Sequence, residues 1–151
     1  DCVTDRRFDL ITLRMVAEHI TNPPRVVAKL SELTKPGGRV VVYTPNKWAP
    51  VSLLAAAVPN HLHHRFKRVV WDVEERDTFP TAFKMNTRAA LAGHFAAGGM
   101  SEVFFAHLDD CRTFSGIKPL SYLELLLQKS LRSVGVRYPE NCLLGIYRKA
   151  A

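Results

Sequence analysis

Phe8-Asp9-Leu10-Ile11-Thr12-Leu13 and Arg39-Val40-Val41-Val42-Tyr43-Thr44, with Thr21-Asn22-Pro23-Pro24 and Pro36-Gly37-Gly38 between them, decide the fold of this chain. Both runs are apolar, rich in β-branched residues and too short for helices, so each reads as a strand. Between them Val26, Val27, Leu30 and Leu33 recur at helical spacing. Thr21 and Asn22 are the cap candidates for that helix, and the two prolines suit its first turn. Pro36-Gly37-Gly38 is expected to end it and turn the chain. Strand, helix and strand within about 35 residues make a βαβ unit with parallel strands. Strands of that kind are expected to be central and buried on both faces.

Working outward, a helix is expected over Val51 to Ala57, followed by an excursion punctuated by His, Arg and Pro. Residues of about 47–85 read as a substrate-facing insertion, because such loops carry variation on a shared scaffold. Asn86-Thr87 opens a helix through Ala97, with Leu91, Ala92 and Phe95 inward and Gly98-Gly99 at its end. Glu102 to Leu108 reads as a strand. Pro119 to Val134 reads as a helix whose Leu120, Leu123, Leu126, Leu127 and Leu131 must meet the sheet or another element. Cys142 to Lys149 is a terminal strand.

Composition bounds the function. With 151 residues, 47% apolar and 23% charged, the chain is expected to form one domain, or a large piece of one. Asp1-Cys2-Val3-Thr4-Asp5 has neither the basic nor the apolar region of a signal peptide, and reads as a cut. The longest apolar stretch, Ala49 to Val58, is about half the ~20 residues of a membrane span. A cytoplasmic protein with no membrane partner is expected. Cys2, Cys111 and Cys142 lack metal or redox spacing and read as buried thiols. The net charge of +7 is mostly scattered, and the cluster from His61 to Arg68 is offset by Asp72, Glu74, Glu75 and Asp77. No nucleic-acid partner is expected.

Several motifs fall in one register: Phe8-Asp9-Leu10-Ile11, Val16-Ala17-Glu18-His19-Ile20, Asn22-Pro23, Leu33, Lys35-Pro36-Gly37-Gly38 and Thr44-Pro45-Asn46. In this order and spacing the chain resembles the middle of class I S-adenosylmethionine-dependent methyltransferases. Asp77 to Thr81, Asn86-Thr87 and Gly98-Gly99-Met100 extend the likeness. The resemblance implies an α/β class, a partial Rossmann-like methyltransferase fold with helices on both faces. Its sheet would be mostly parallel with an antiparallel last strand, and residues 1–151 would be the C-terminal part of one methyltransferase domain. It implies S-adenosyl-L-methionine as cofactor and a small-molecule acceptor. The donor-binding loop would lie upstream of Asp1, which makes the N-terminal half of the domain a partner. Gly37-Gly38 follows a helix and precedes a strand, the reverse of a dinucleotide-loop context.

Ligands of open α/β sheets sit beyond the carboxyl ends of the strands. By resemblance, Leu13, Arg14 and Met15 flank the methionine part of the donor, although a methionine equally serves as core filler. His19 is either a general base for the acceptor or a histidine that bonds to backbone and fixes its loop. Glu18, Asn46, Trp48, His61 and His64 are expected at the acceptor, with Phe66, Trp71, Phe79 and Phe83 as further apolar walls. His61 and His64 lack the companions of a metal site, so no metal is expected. Asp9 reads as structural, bonding to backbone near the strand edge. The expected function is methyl transfer to a small molecule by the parent domain, this chain being inactive alone. The alternative is a noncatalytic interaction module of degenerate methyltransferase-like fold. The atom methylated and the oligomeric state are left open.

Overall fold

A computed structural model describes residues 4–50, 52–53, 81–108, 117–136 and 138–151. The chain divides into two compact units. The first is Asp1–Pro45, Pro80–His107 and Leu143–Ala151; the second is Asn46–Phe79 and Leu108–Cys142.

The first unit is built on β1 (Phe8–Arg14), α1 (Pro23–Leu33), β2 (Thr34–Pro45), α2 (Arg88–Ala97), β3 (Met100–Leu108) and β4 (Cys142–Lys149). The sheet order is β1-β2-β4-β3. β1 and β2 are parallel, with Leu10 opposite Arg39 and Arg14 opposite Tyr43, as the βαβ reading requires. β4 is inserted between β2 and β3 and runs against both. Gly37 N–H near the start of β2 donates to Ala150 O just past the end of β4. Ser101 Oγ at the start of β3 donates to Arg148 O near that same end, at 3.5 Å.

Both expected caps form: Asn22 Oδ1 accepts from Arg25 N–H at 3.3 Å and Thr87 Oγ1 from Ala90 N–H at 3.2 Å. The apolar stripes of α1 and α2 put Val27, Leu30, Leu91 and Phe95 into one core with Val40, Val42, Leu143 and Tyr147. The Phe95 and Tyr147 rings stack with centroids 4.0 Å apart. Burial pushes the Tyr147 hydroxyl's pKa up, so the phenol stays neutral. Cys142 is a buried free thiol, whereas Cys2 and Cys111 lie outside the described residues.

Three expectations are corrected. β2 starts at Thr34, so Lys35-Pro36-Gly37-Gly38 lies within the strand. The pairing jumps from Phe8 opposite Thr34 to Leu10 opposite Arg39, which marks a bulge. Turns and bulges draw on the same glycines, which is why the sequence reads as a turn. Gly37 has a left-handed φ of 75°, and a Cβ on Gly38 would stand 2.8 Å from Thr34 Cγ2 and 3.1 Å from Asp9 O.

The second correction concerns burial. β1 is an edge of this sheet, with Phe8 and Leu10 exposed. β2 is two-faced: Val40, Val42 and Thr44 are buried, Val41 and Tyr43 half-buried. Asp9 bonds to a side chain as well as to backbone. Lys35 Nζ reaches its carboxylate at 2.9 Å and holds the fully exposed Asp9 below the usual carboxylate range.

The third lies in the second unit, in α3 (Lys118–Ser133). This helix buries Glu124 and Gln128 and leaves Leu123, Leu126 and Leu127 exposed. The Tyr138 hydroxyl donates to Glu124 Oε1 at 2.9 Å, which gives the inward carboxylate a partner. The helix expected over Val51 to Ala57 lies outside the described residues beyond Leu53.

Substitution Gly38→Ala overpacks the bulge and should cost about 1–3 kcal/mol in urea unfolding. Gly93→Ala, on α2 where a Cβ meets nothing within 4 Å, should gain about 0.4–1 kcal/mol. Equal effects at the two glycines would contradict the bulge assignment.

Candidate functional site at the strand tips

Parallel pairing brings the carboxyl ends of β1 and β2 side by side. The last rung is Met15 N–H donating to Tyr43 O at 2.8 Å. Met15 then adopts φ 53°, a left-handed conformation that non-glycine residues rarely take and that concentrates at functional sites. This swings the chain off the strand and leaves Arg14, Met15 and Val16 exposed. Leu13 faces the other way and packs on the core.

The chain next makes a single 3-10 turn, Ala17–His19, which buries Glu18. The Thr44 hydroxyl at the end of β2 donates to Glu18 Oε2 at 3.0 Å. Asn86 Nδ2 donates to Thr44 Oγ1 at 2.8 Å and to Pro45 O at 2.9 Å. Asn86 is fully buried, and its Oδ1 has no partner among the described residues. The backbone carbonyl of Glu18 accepts from Ala82 N–H and Phe83 N–H at 2.7 and 3.1 Å. Lys84 Nζ, just beyond, donates to Thr21 O at 2.8 Å. The segment leading into α2 is therefore fastened to the Glu18 turn by main chain and side chain together.

Buried carboxylates persist only when hydrogen-bonded, and each bond to a charged group is worth about 1.5–3 kcal/mol. Glu18 thus serves to organise the strand tips. His19 is half-buried, with Nε2 3.9 Å from Glu18 Oε1, an ion-pair distance too long for a hydrogen bond.

Asn46 is similarly occupied within the second unit. Its Nδ2 donates to Glu140 O at 2.9 Å and its Oδ1 accepts from Trp48 N–H at 3.1 Å. The Ser52 hydroxyl donates to Asn46 O at 2.8 Å. This is the local side-chain-to-backbone pattern by which asparagine fixes turns. Trp48 is exposed, with Lys47 Nζ 5.7 Å from its ring centroid. Phe83 is half-buried, at φ 48°. His61, His64, Phe66, Trp71 and Phe79 lie outside the described residues.

The site therefore brings together Arg14, Met15, Glu18 and His19 from the sequence reading. It adds Thr44 and Asn86 in a role the sequence did not disclose. Asn86 was legible only as a start-of-helix residue; the cap is Thr87, which frees Asn86 to turn inward.

A family profile described as a methyltransferase domain matches residues 2–99, more than half of the chain, and the chain belongs to that family. No curated protein matches the sequence. Among solved structures, a putative sarcosine dimethylglycine methyltransferase from Galdieria sulphuraria is similar at 13% identity and a TM-score of 0.55. The match covers 98% of this chain and 55% of that one. An S-adenosylmethionine-dependent methyltransferase from Mesorhizobium loti is 16% identical at a TM-score of 0.51, covering 94% and 62%. Phosphoethanolamine N-methyltransferase 2 from Haemonchus contortus, solved with S-adenosyl-L-methionine, is 12% identical at 0.50, covering 95% and 34%. At these identities the likeness establishes the fold. This chain spans less than two thirds of the length of each of the three.

Thr44→Val keeps the side-chain volume and removes the hydroxyl, and should cost about 1.5–3 kcal/mol by denaturant unfolding. A cycle with Asn86→Ala should show a coupling of about 0.5–3 kcal/mol. Strict additivity would mean that the Glu18, Thr44 and Asn86 side chains do not act as one unit.

Proposed function

We propose that the domain containing this chain transfers a methyl group from S-adenosyl-L-methionine to a small-molecule acceptor. The observation that carries this reading is the parallel β1–β2 pair with its exposed, left-handed Met15 at the common carboxyl edge, where open α/β sheets place their ligands. Membership of the methyltransferase family supports it.

The residues at this edge suit one wall of a donor site. Arg14 and Met15 are exposed, the backbone there is held by Tyr43, and Leu13 backs them from the core. In this proposal Arg14 and Met15 line the methionine part of the donor, whose sulfonium supplies an electrophilic methyl. The acceptor nucleophile bonds to that carbon as the carbon–sulfur bond breaks, and the electron pair stays on sulfur. In this proposal His19 takes the acceptor proton where one must leave. Glu18 acts by fixing the loop that carries His19, and Asn46 by fixing the one that carries Trp48. Trp48 offers an apolar wall, and His61 and His64 remain assigned to the acceptor side. Alignment of nucleophile and methyl supplies the rate.

The other wall belongs to preceding strands of the same domain, which pair with the open β1 edge and carry the donor loop. Alone, the chain is inactive. A cytoplasmic location goes with this assignment; among the described residues no helix is long and apolar enough to cross a membrane. The exposed apolar edge of β1 also favours a second reading, in which the chain is a noncatalytic module docking on another protein. An obligate partner would be contradicted by a well-behaved monomer in size-exclusion chromatography.

Titration calorimetry with S-adenosylhomocysteine distinguishes these readings. A longer protein that includes the preceding strands should bind, and the isolated chain should bind at least about 100-fold more weakly. In the longer protein, Met15→Ala should weaken binding about tenfold, as expected for one lost apolar contact of ~1.4 kcal/mol. Absence of binding by the longer protein would overturn the proposal.

A further inference from the structure

α3 packs with its polar side inward. Glu124 is 7% exposed and takes the Tyr138 hydroxyl, and Gln128 is buried beside it on the same face, while Leu123 and Leu126 are each 61% exposed and Leu127 50%. At 100° per residue these three leucines span roughly 100° of arc. Tyr122 and Leu125 are exposed as well, and Val134 and Val136 continue the apolar surface beyond the helix. Scattered exposed apolar residues are ordinary; a contiguous ridge of them marks an interaction surface.

The charges around the ridge indicate its partner. Glu124 is the only acidic residue of α3 and is turned inward, so every charge the helix presents to solvent is basic: Lys118, Lys129 and Arg132. On the helical wheel these three cluster on the flank of the leucine arc, with Tyr122 between. A helix that joins an apolar arc to an exclusively basic flank has the character of an interfacial helix. Self-association fits poorly. An antiparallel pair would set Lys118 against Arg132, and a parallel pair would set each cation against its own copy.

We propose that α3 is a docking surface for an anionic lipid bilayer. The leucine arc enters the headgroup–acyl boundary, and Lys118, Lys129 and Arg132 pair with lipid phosphates. No span is involved. The inference is independent of the proposed methyl transfer, since it rests on α3 alone.

Cosedimentation of the whole chain with vesicles tests it. Vesicles of equal parts phosphatidylcholine and phosphatidylglycerol should carry the chain down, and pure phosphatidylcholine should bind at least about tenfold more weakly. Lys129→Glu with Arg132→Glu should weaken binding about fivefold or more per site, the effect of one basic residue near an anionic surface. Raised salt should act in the same direction. The triple substitution Leu123→Ser, Leu126→Ser and Leu127→Ser should abolish binding while leaving the circular dichroism spectrum intact, because these side chains are exposed. Equal binding to both vesicles, no binding to either, or unimpaired binding of the leucine variant would overturn the proposal. So would a dimer in sedimentation velocity that the leucine substitutions dissociate, with no vesicle binding, because the ridge would then belong to a second copy.

Discussion

Parallel hydrogen bonding between β1 and β2 is the constraint on which the other features depend. A parallel pair cannot be closed by a hairpin, so the chain must cross over, and α1 is that crossover. Parallelism also sends both strands toward one edge. There the last rung, from Met15 to Tyr43, fixes where β1 stops. Glu18 enters from the tip of β1 and Thr44 from the tip of β2. A one-residue slip would turn Thr44 to the opposite face and leave the buried Glu18 carboxylate without its donor. The register of the pair and the polar cluster at its end are therefore mutually enforcing. The bulge at Gly37-Gly38 sets this register at the other end of β2.

How much of this was legible depends on how local the cause is. Thr21-Asn22 before two prolines and Asn86-Thr87 before an apolar stripe are local signals, and in each pair the second residue caps. Cys142 to Lys149 is a strand as read, because its apolar run allows little else. What failed needed three-dimensional context. A bulge and a turn recruit the same Pro and Gly residues, so only the partner strand reveals that residues 35–38 stay in the sheet. The spacing of the leucines in α3 establishes an amphipathic helix but says nothing about which face is inward. The inward Glu124 meets the Tyr138 hydroxyl, from the segment just past the end of the helix. Thr44 and Asn86 were visible as residues, yet their joint role with Glu18 arises from segments far apart in the chain.

The site residues show the same distinction between chemical type and placement. Glu18 and Asn46 have side chains suited to binding an acceptor, but the fold uses them to bind itself. Asn46 spends both ends of its amide on backbone, and Glu18 spends its carboxylate on Thr44. Residues so engaged contribute to a ligand site through the geometry they impose. Glu18 in this way fixes the turn that carries the half-buried His19, and Asn46 the backbone of the exposed Trp48. Arg14 and Met15 are the converse case: open, on a constrained backbone, at the edge where ligands of such sheets collect.

The character of β1 links the fold to the proposed activity. Protected edge strands carry charges, prolines or bulges along their free side. β1 carries charge only at its two ends, where Asp9 pairs with Lys35 and Arg14 is exposed. From Leu10 to Leu13 it presents apolar and β-branched residues, and Leu10 is exposed. That composition suits a strand with neighbours on both sides, and solved structures of the same fold are substantially longer than this chain. On the proposed reading, preceding strands would bury Leu10 and close the second wall opposite Arg14 and Met15 in one step. On that reading, completion of the core and completion of the donor site would be the same event.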